Sequence, residues 1–306
     1  MGFNDMIGIA LVATLFLGGL WKLSNLMLQP KKLSYDKLYE REVAEGKLNE
    51  KEYQAMNKSK FIITSDFGYP LSCELLETDY TKQNNADKKI AVLCHGFTCA
   101  KYSSVLYAEI FLKLGFTVLI YDHRNHGLSG KAFTSMGYYE KQDLKKVIDW
   151  CSETYGEDCK IVTHGESMGA ATVISHLEID RRVRCVIADC AYSDLKQLLK
   201  YQLKRYFHIP SIFITMACFL VYLRAGFWYG EVSPIRAVSH TNTPILFIHG
   251  IEDNYVPANM SQAMYDCKNG FKELYLVEGA KHAGSCITNH EEYERRVEIF
   301  LNHFFN

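Results

Sequence analysis

The chain has 306 residues, 48% of them hydrophobic and 23% charged, with a formal net charge of -1. That length is enough to bury a sizeable core in one large domain or two small ones, and the near-neutral charge argues against a polyanionic partner such as nucleic acid. The ten cysteines show no C-x-x-C spacing, which argues against zinc and thioredoxin-type sites; they read as small buried hydrophobes in a reducing compartment.

Residues 6–21 carry no charge. This run is slightly shorter than the roughly 20 apolar residues of a membrane span, but Trp21 and Lys22 provide an interfacial end. Only Asp5 precedes it, where a cleaved signal peptide would place basic residues. Residues 1–30 therefore read as a single uncleaved membrane anchor, and the membrane is one expected partner. Lys22, Lys31 and Lys32 follow the run, so the excess of positive charge puts the rest of the chain on the cytoplasmic side. Residues 31–60 are charged and helix-favouring, as a juxtamembrane spacer would be, and a domain over 61–306 follows.

Phe61-Ile62-Ile63-Thr64, Asp66-Phe67-Gly68 and the run from Leu71 predict a β-hairpin. Strands and helices then alternate: strand 89–94, helix 103–114 stopped by Gly115, strand 116–121, amphipathic helix 143–155 stopped by Gly156, and strand 160–164. Strands at 184–188, 244–249 and 272–278 come next, and a terminal helix over 291–304 closes the chain. Continuous apolar strands alternating with helices specify a mostly parallel sheet covered on both faces. The alternation breaks at about 194–236. There a helix carries Leu195, Leu198, Leu199, Gln202, Leu203 and Tyr206 on one face, and Lys196, Lys200 and Lys204 on another. The uncharged run 209–223 follows. It is too short to span a membrane and reads as a helical cap, either buried on the main domain or touching a membrane surface.

Gly165-Glu166-Ser167-Met168-Gly169 follows an apolar strand and opens a helix containing Ala170, Ala171 and Val173. A serine at such a strand-turn-helix corner is held strained with its hydroxyl exposed, and small neighbours let the two backbones approach. Upstream, His95-Gly96-Phe97-Thr98 ends the strand at 89–94. The backbone N–H of Phe97 is expected to form an oxyanion hole with that of Met168. Downstream, His249-Gly250-Ile251-Glu252-Asp253 supplies the acid Asp253, with Glu252 aimed elsewhere. Asp189, at the end of the neighbouring strand, is the rival acid. Gly279-Ala280-Lys281-His282-Ala283 supplies His282 as base, giving the chain order Ser, Asp, His. Among the other histidines, His123, His164 and His249 end strands as supports. His126 either stabilises the loop 122–129 or lines a pocket.

These residues resemble the α/β-hydrolase superfamily, most of all its bacterial serine-aminopeptidase-like lineage with its monoacylglycerol lipases and feruloyl esterases. The likeness runs from about Phe61 to the C-terminus. It includes Asp122-His123-Arg124-Asn125-His126-Gly127-Leu128-Ser129, similar to the family's D-x-R-G-x-G-x-S with Asn125 in place of a glycine, and also Arg224-Ala225-Gly226 and Ser233-Pro234-Ile235. The resemblance implies an α/β-hydrolase fold, a doubly wound, mostly parallel sheet of about eight strands with a short helical cap. It also implies metal-free, cofactor-free hydrolysis of carboxylic esters through Ser167, His282 and Asp253. The apolar cap and anchor lean the expected small-molecule substrate towards an acyl chain or small lipid ester. An aminopeptidase or amidase of the same fold, and a membrane-tethered binding protein with a vestigial site, are the alternatives.

Overall fold

The apolar runs become one eight-stranded sheet in the computed structural model, which describes residues 3–84, 88–208, 210 and 212–305. Met1, Gly2, Asn85, Ala86, Asp87, Ile209, Ser211 and Asn306, within segments expected above as anchor, cap and domain, lie outside the described residues. The strands are β1 (Asn57–Thr64), β2 (Pro70–Glu77), β3 (Lys89–Cys94), β4 (Thr117–Tyr121), β5 (Lys160–Glu166), β6 (Val183–Asp189), β7 (Ile245–Gly250) and β8 (Lys272–Val277). Their spatial order is β1-β2-β4-β3-β5-β6-β7-β8. β1 and β2 form the expected hairpin, turned at Gly68 with φ +84°. β2 joins β4 antiparallel, and every later pairing is parallel. Within β3, Ile90, Val92 and Cys94 face one core, while Ala91 and Leu93 face the other. Burial on both faces is why these strands are apolar throughout rather than alternating.

Three helices precede the sheet: α1 (Phe3–Leu28), α2 (Tyr35–Ala44) and α3 (Glu50–Ala55). The side chains of Ser34 and Asn49 cap the latter two, accepting from the N–H groups of Lys37 and Glu52. Leu38 and Tyr53 are buried, and Tyr53 joins the core on one face of the sheet, so this charged stretch packs on the domain. The first strand accordingly begins at Asn57, ahead of the predicted Phe61. Then follow α4 (Asp79–Asn84), α5 (Val105–Lys113), α6 (Glu140–Tyr155), α7 (Met168–His176) and, capped by Asp194, α8 (Leu195–Gln202). α8 runs into a wider helical turn over Leu203–Phe207, and α9 (Ile212–Ala225) completes the cap. α10 (Pro234–Ser239), α11 (Asn259–Cys267), α12 (Ser285–Thr288) and α13 (His290–Phe305) fill the remaining connections. α5 and α13 cover one face of the sheet; α6, α7 and α10 cover the other.

All ten cysteines carry free thiols. α1 runs on to Leu28, seven residues beyond the apolar run ending at Trp21, and its last turns dock on the cap. Leu20, Ser24, Met27 and Leu28 are buried there.

Candidate active site

β5 ends at Glu166, and Ser167 turns the chain into α7 with φ 55° and ψ -112°, a conformation an L-residue adopts only when its surroundings force it. Those surroundings are glycine contacts. A Cβ on Gly165 would sit 2.3 Å from the carbonyl of Gly169, and one on Gly169 would sit 2.0 Å from the Cys94 carbonyl oxygen. The backbones of β3, β5 and α7 can therefore meet only without side chains at these two positions. Ser167 N–H donates to the Asp189 carbonyl at 2.8 Å, which ties the corner to β6.

The loop after β8 carries His282 to this corner. Its Nε2 lies 2.9 Å from Ser167 Oγ, and its Nδ1 lies 2.6 Å from Asp253 Oδ2. With Nδ1–H donating to Asp253, Nε2 is left to accept the serine proton. The other oxygen, Asp253 Oδ1, accepts from the N–H groups of Tyr255 and Val256, both at 2.8 Å. Burial pushes the Asp253 pKa up, but hydrogen bonds from His249 and His282 outweigh it and hold the carboxyl below the usual carboxylate range. His249 is fixed from both sides, by Ser261 Oγ at Nδ1 and by the Val256 carbonyl at Nε2.

Asp189, the rival acid, bonds Ser285 Oγ at 3.0 Å rather than His282. It is fully buried, and desolvation with neighbouring Glu166 raises its pKa to about 8. Glu166 in turn accepts from Tyr107 at 2.6 Å. Cys190 Sγ lies within 4.8 Å of donor atoms on Asp253 and His282. Burial beside Asp189 keeps that thiol well above its ordinary pKa, so it presents no thiolate.

The N–H groups of Phe97 and Met168 have no acceptor among the described residues. Two imidazoles hold the Phe97 turn in place. His95 Nε2 accepts from the N–H of His123 at 3.0 Å, and His126 Nε2 accepts from the N–H of Thr98, itself at φ +61°, at 3.2 Å. Burial lowers the pKa of His95 to about 4 and of His126 to about 3, so both are neutral and available as acceptors. His126 thus stabilises the loops rather than lining the cavity.

Above Ser167 lies a cavity of about 270 Å³. Phe97, Met136, Tyr192, Tyr229, Tyr255 and Val256 form its floor and sides; Leu198, Leu199, Gln202, Leu203 and Ile214 come from the cap. Leu23, Leu26 and Met27 come from α1.

Residues 33–218 match the family model of the X-Pro dipeptidyl-peptidases (S15 family), a segment that includes the Phe97 turn and Ser167 and ends before Asp253 and His282. The chain is 33% identical to YqkD of Bacillus subtilis over 299 residues, covering 97% of this chain and 95% of that one. The chain belongs to this family of α/β-hydrolases. A membrane protein of Saccharomyces cerevisiae, YNL320W, is 23% identical over 219 residues, covering 69% of the hydrolase and 70% of the yeast protein. The esterase Pf2001 of Pyrococcus furiosus superposes with a TM-score of 0.69 at 23% identity, over 92% of the hydrolase and 98% of its own chain.

Two parts of the hydrolase's site escaped the sequence. The α1 wall continues the apolar run past Lys22 as Leu23, Leu26 and Met27, whose three- and four-residue spacing was the available signal. The buried ion pair of Lys101 Nζ with Asp122, 3.0 Å apart, left none. Asp122 also accepts from the N–H groups of Lys101 and Leu128, pinning the loop that carries His126.

Proposed function

We propose that the protein is a serine hydrolase of carboxylic esters, with acyl-chain or small lipid esters as its substrates and α1 as its membrane anchor. The observation that carries this reading is the unbroken chain of hydrogen bonds from Asp253 through His282 to Ser167, at the floor of an apolar cavity. His282 Nε2 takes the Ser167 proton as Oγ attacks the ester carbonyl, and the oxyanion rests on the N–H groups of Phe97 and Met168. Asp253 fixes the tautomer and stabilises the imidazolium. His282 then gives its proton to the leaving alcohol, and water attacks the acyl-enzyme by the same route to release the acid and restore Ser167. Lys22, Lys31 and Lys32, which follow the apolar run, support an orientation with the domain on the cytoplasmic side.

The family match supports a second reading, amide hydrolysis of peptides. A dipeptidyl-peptidase has to hold a free ammonium group, and the residues lining this cavity include no carboxylate. That favours a neutral, apolar acyl group.

Labelling of the full chain with a fluorophosphonate, followed by turnover of p-nitrophenyl esters and aminoacyl anilides, tests the reading. Wild type is expected to label and to cleave the esters; Ser167→Ala abolishes labelling and His282→Ala nearly does. An unlabelled wild type points to a binding protein, and turnover of anilides alone points to the amide reading.

A further inference from the structure

α9 is apolar on two faces. Ile214, Ala217, Cys218 and Val221 pack inward, while Ile212, Met216, Phe219 and Leu223 form an outward stripe at helical spacing. Phe219 is 53% exposed and Leu223 64% exposed, and no charged residue interrupts the stripe. The helix does not continue as a span. The following segment turns by 85°, and α10 buries Pro234, Ala237 and Val238 against the domain.

α9 lies alongside α1 in the same direction. Phe213 faces Phe16 at 6.1 Å between ring centroids. At the other end Arg224 lies 3.8 Å above the Trp21 ring and donates to Ser24 Oγ and Asn25 Oδ1. Asp5–Leu28 is, among the described residues, the helix long and apolar enough to cross a membrane. Yet the part of α1 between Asp5 and its contact with α9 at Phe16 gives only about 16 Å of helix at 1.5 Å per residue. A hydrocarbon core is about 30 Å thick. The remaining depth has to come from the turns between Phe16 and Asn25, which meet α9 at Phe213 and Arg224. If α1 spans, α9 cannot stay in water. The residues at the far end suit that depth: Trp21 and Lys22 on α1, and Tyr222 stacked on Trp228 at 4.5 Å, form the aromatic and cationic border of an interface.

We propose that the outward stripe of α9 and the last turns of α1 lie together in one leaflet of a lipid bilayer, so that the cavity above Ser167 opens into lipid. Leu26 lines that cavity and is itself 55% exposed, so the opening runs along α1. On the ester-hydrolase reading, from which the substrate half of this proposal follows, the substrate is a single-chain acyl ester drawn from the membrane. Leu23 and Met27 form one wall of its channel.

The docking is read without any catalysis. The full chain is placed in phosphatidylcholine vesicles with and without acyl-chain-brominated phosphatidylcholine, and tryptophan quenching is compared between wild type and Trp228→Phe. Loss of a quenchable component on removing Trp228 is the expected result. A quenchable component that is unchanged overturns the proposal, as it would if a second copy of the chain covered the stripe. The substrate half is read with Phe219→Glu/Leu223→Glu, as the rate on a vesicle-borne monoacylglycerol divided by the rate on soluble p-nitrophenyl acetate. Two charges in the interface are expected to lower that ratio about tenfold, the factor that 1.4 kcal/mol sets. An unchanged ratio overturns delivery from the bilayer. Absence of any ester turnover or fluorophosphonate labelling overturns the hydrolase reading instead, while quenching still decides the docking.

Discussion

Asp253 Oδ2 lies 2.6 Å from Nδ1 of His282, and the same oxygen is 3.3 Å from Nε2 of His249. One carboxylate therefore faces two imidazoles, of which only His282 reaches the serine.

If Asp253 orients His282, Asp253→Asn should lower kcat for p-nitrophenyl butyrate by roughly 10³–10⁴, because an amide cannot hold the same tautomer or stabilise the imidazolium. Asp189→Asn should leave kcat within about threefold, since Asp189 bonds Ser285 and already carries a proton through much of the neutral range. Steady-state kinetics on the two variants check this, and the reverse pattern would move the acid to β6.

The glycine contacts at the corner predict a graded response. A Cβ on Gly169 meets backbone at 2.0 Å, whereas one on Gly96 meets the end of the Glu166 side chain at 3.1 Å. Gly169→Ala should cost about 3 kcal/mol or more, because backbone of β3 must shift. Gly96→Ala should cost about 1 kcal/mol or less, since a side-chain end can move aside. Urea midpoints of the two variants separate these outcomes.

The strands and the mostly parallel character of the sheet were legible because strands buried on both faces are written as unbroken apolar runs, and because Gly115 and Gly156 punctuate the helices between them. The meeting of Ser167, Asp253 and His282 was legible because each sits just past a strand end, where a parallel sheet gathers its loops. The α1 wall was not legible. An apolar helix looks the same whether lipid or protein covers it, and only the docking of Leu20, Met27 and Leu28 on the domain distinguishes the two. Lys101 was unreadable for a related reason: nothing local to a lysine marks it as buried, and its partner Asp122 arrives from the next strand.

That ion pair makes the third prediction. Lys101→Met leaves Asp122 buried with its cation gone, so it should cost about 3–5 kcal/mol. Lys101→Met with Asp122→Leu removes both charges, and part of that loss should be recovered. The recovery will be incomplete, because Asp122 also accepts from the N–H groups of Lys101 and Leu128. A double-mutant cycle by chemical denaturation measures the coupling.

The imidazoles behind the Phe97 turn predict how stability depends on acid. His95 and His126 have pKa values near 4 and 3 in the folded chain, against an ordinary value of 6.5, because burial penalises the charged rings. As the pH falls below about 6.5 the unfolded chain takes up these protons and the folded chain does not, so stability must fall. Each ring contributes up to about 1.4 kcal/mol per pH unit until its own folded value is reached. The loss should therefore run from about pH 6.5 down to about pH 4 for His95 and further for His126. His126→Gln removes one of these protons from the balance, so the urea midpoint of that variant should vary less steeply with pH between 6 and 4 than that of wild type. Equal slopes would mean that His126 is already charged in the folded protein, and its acceptance of the Thr98 N–H would have to be abandoned.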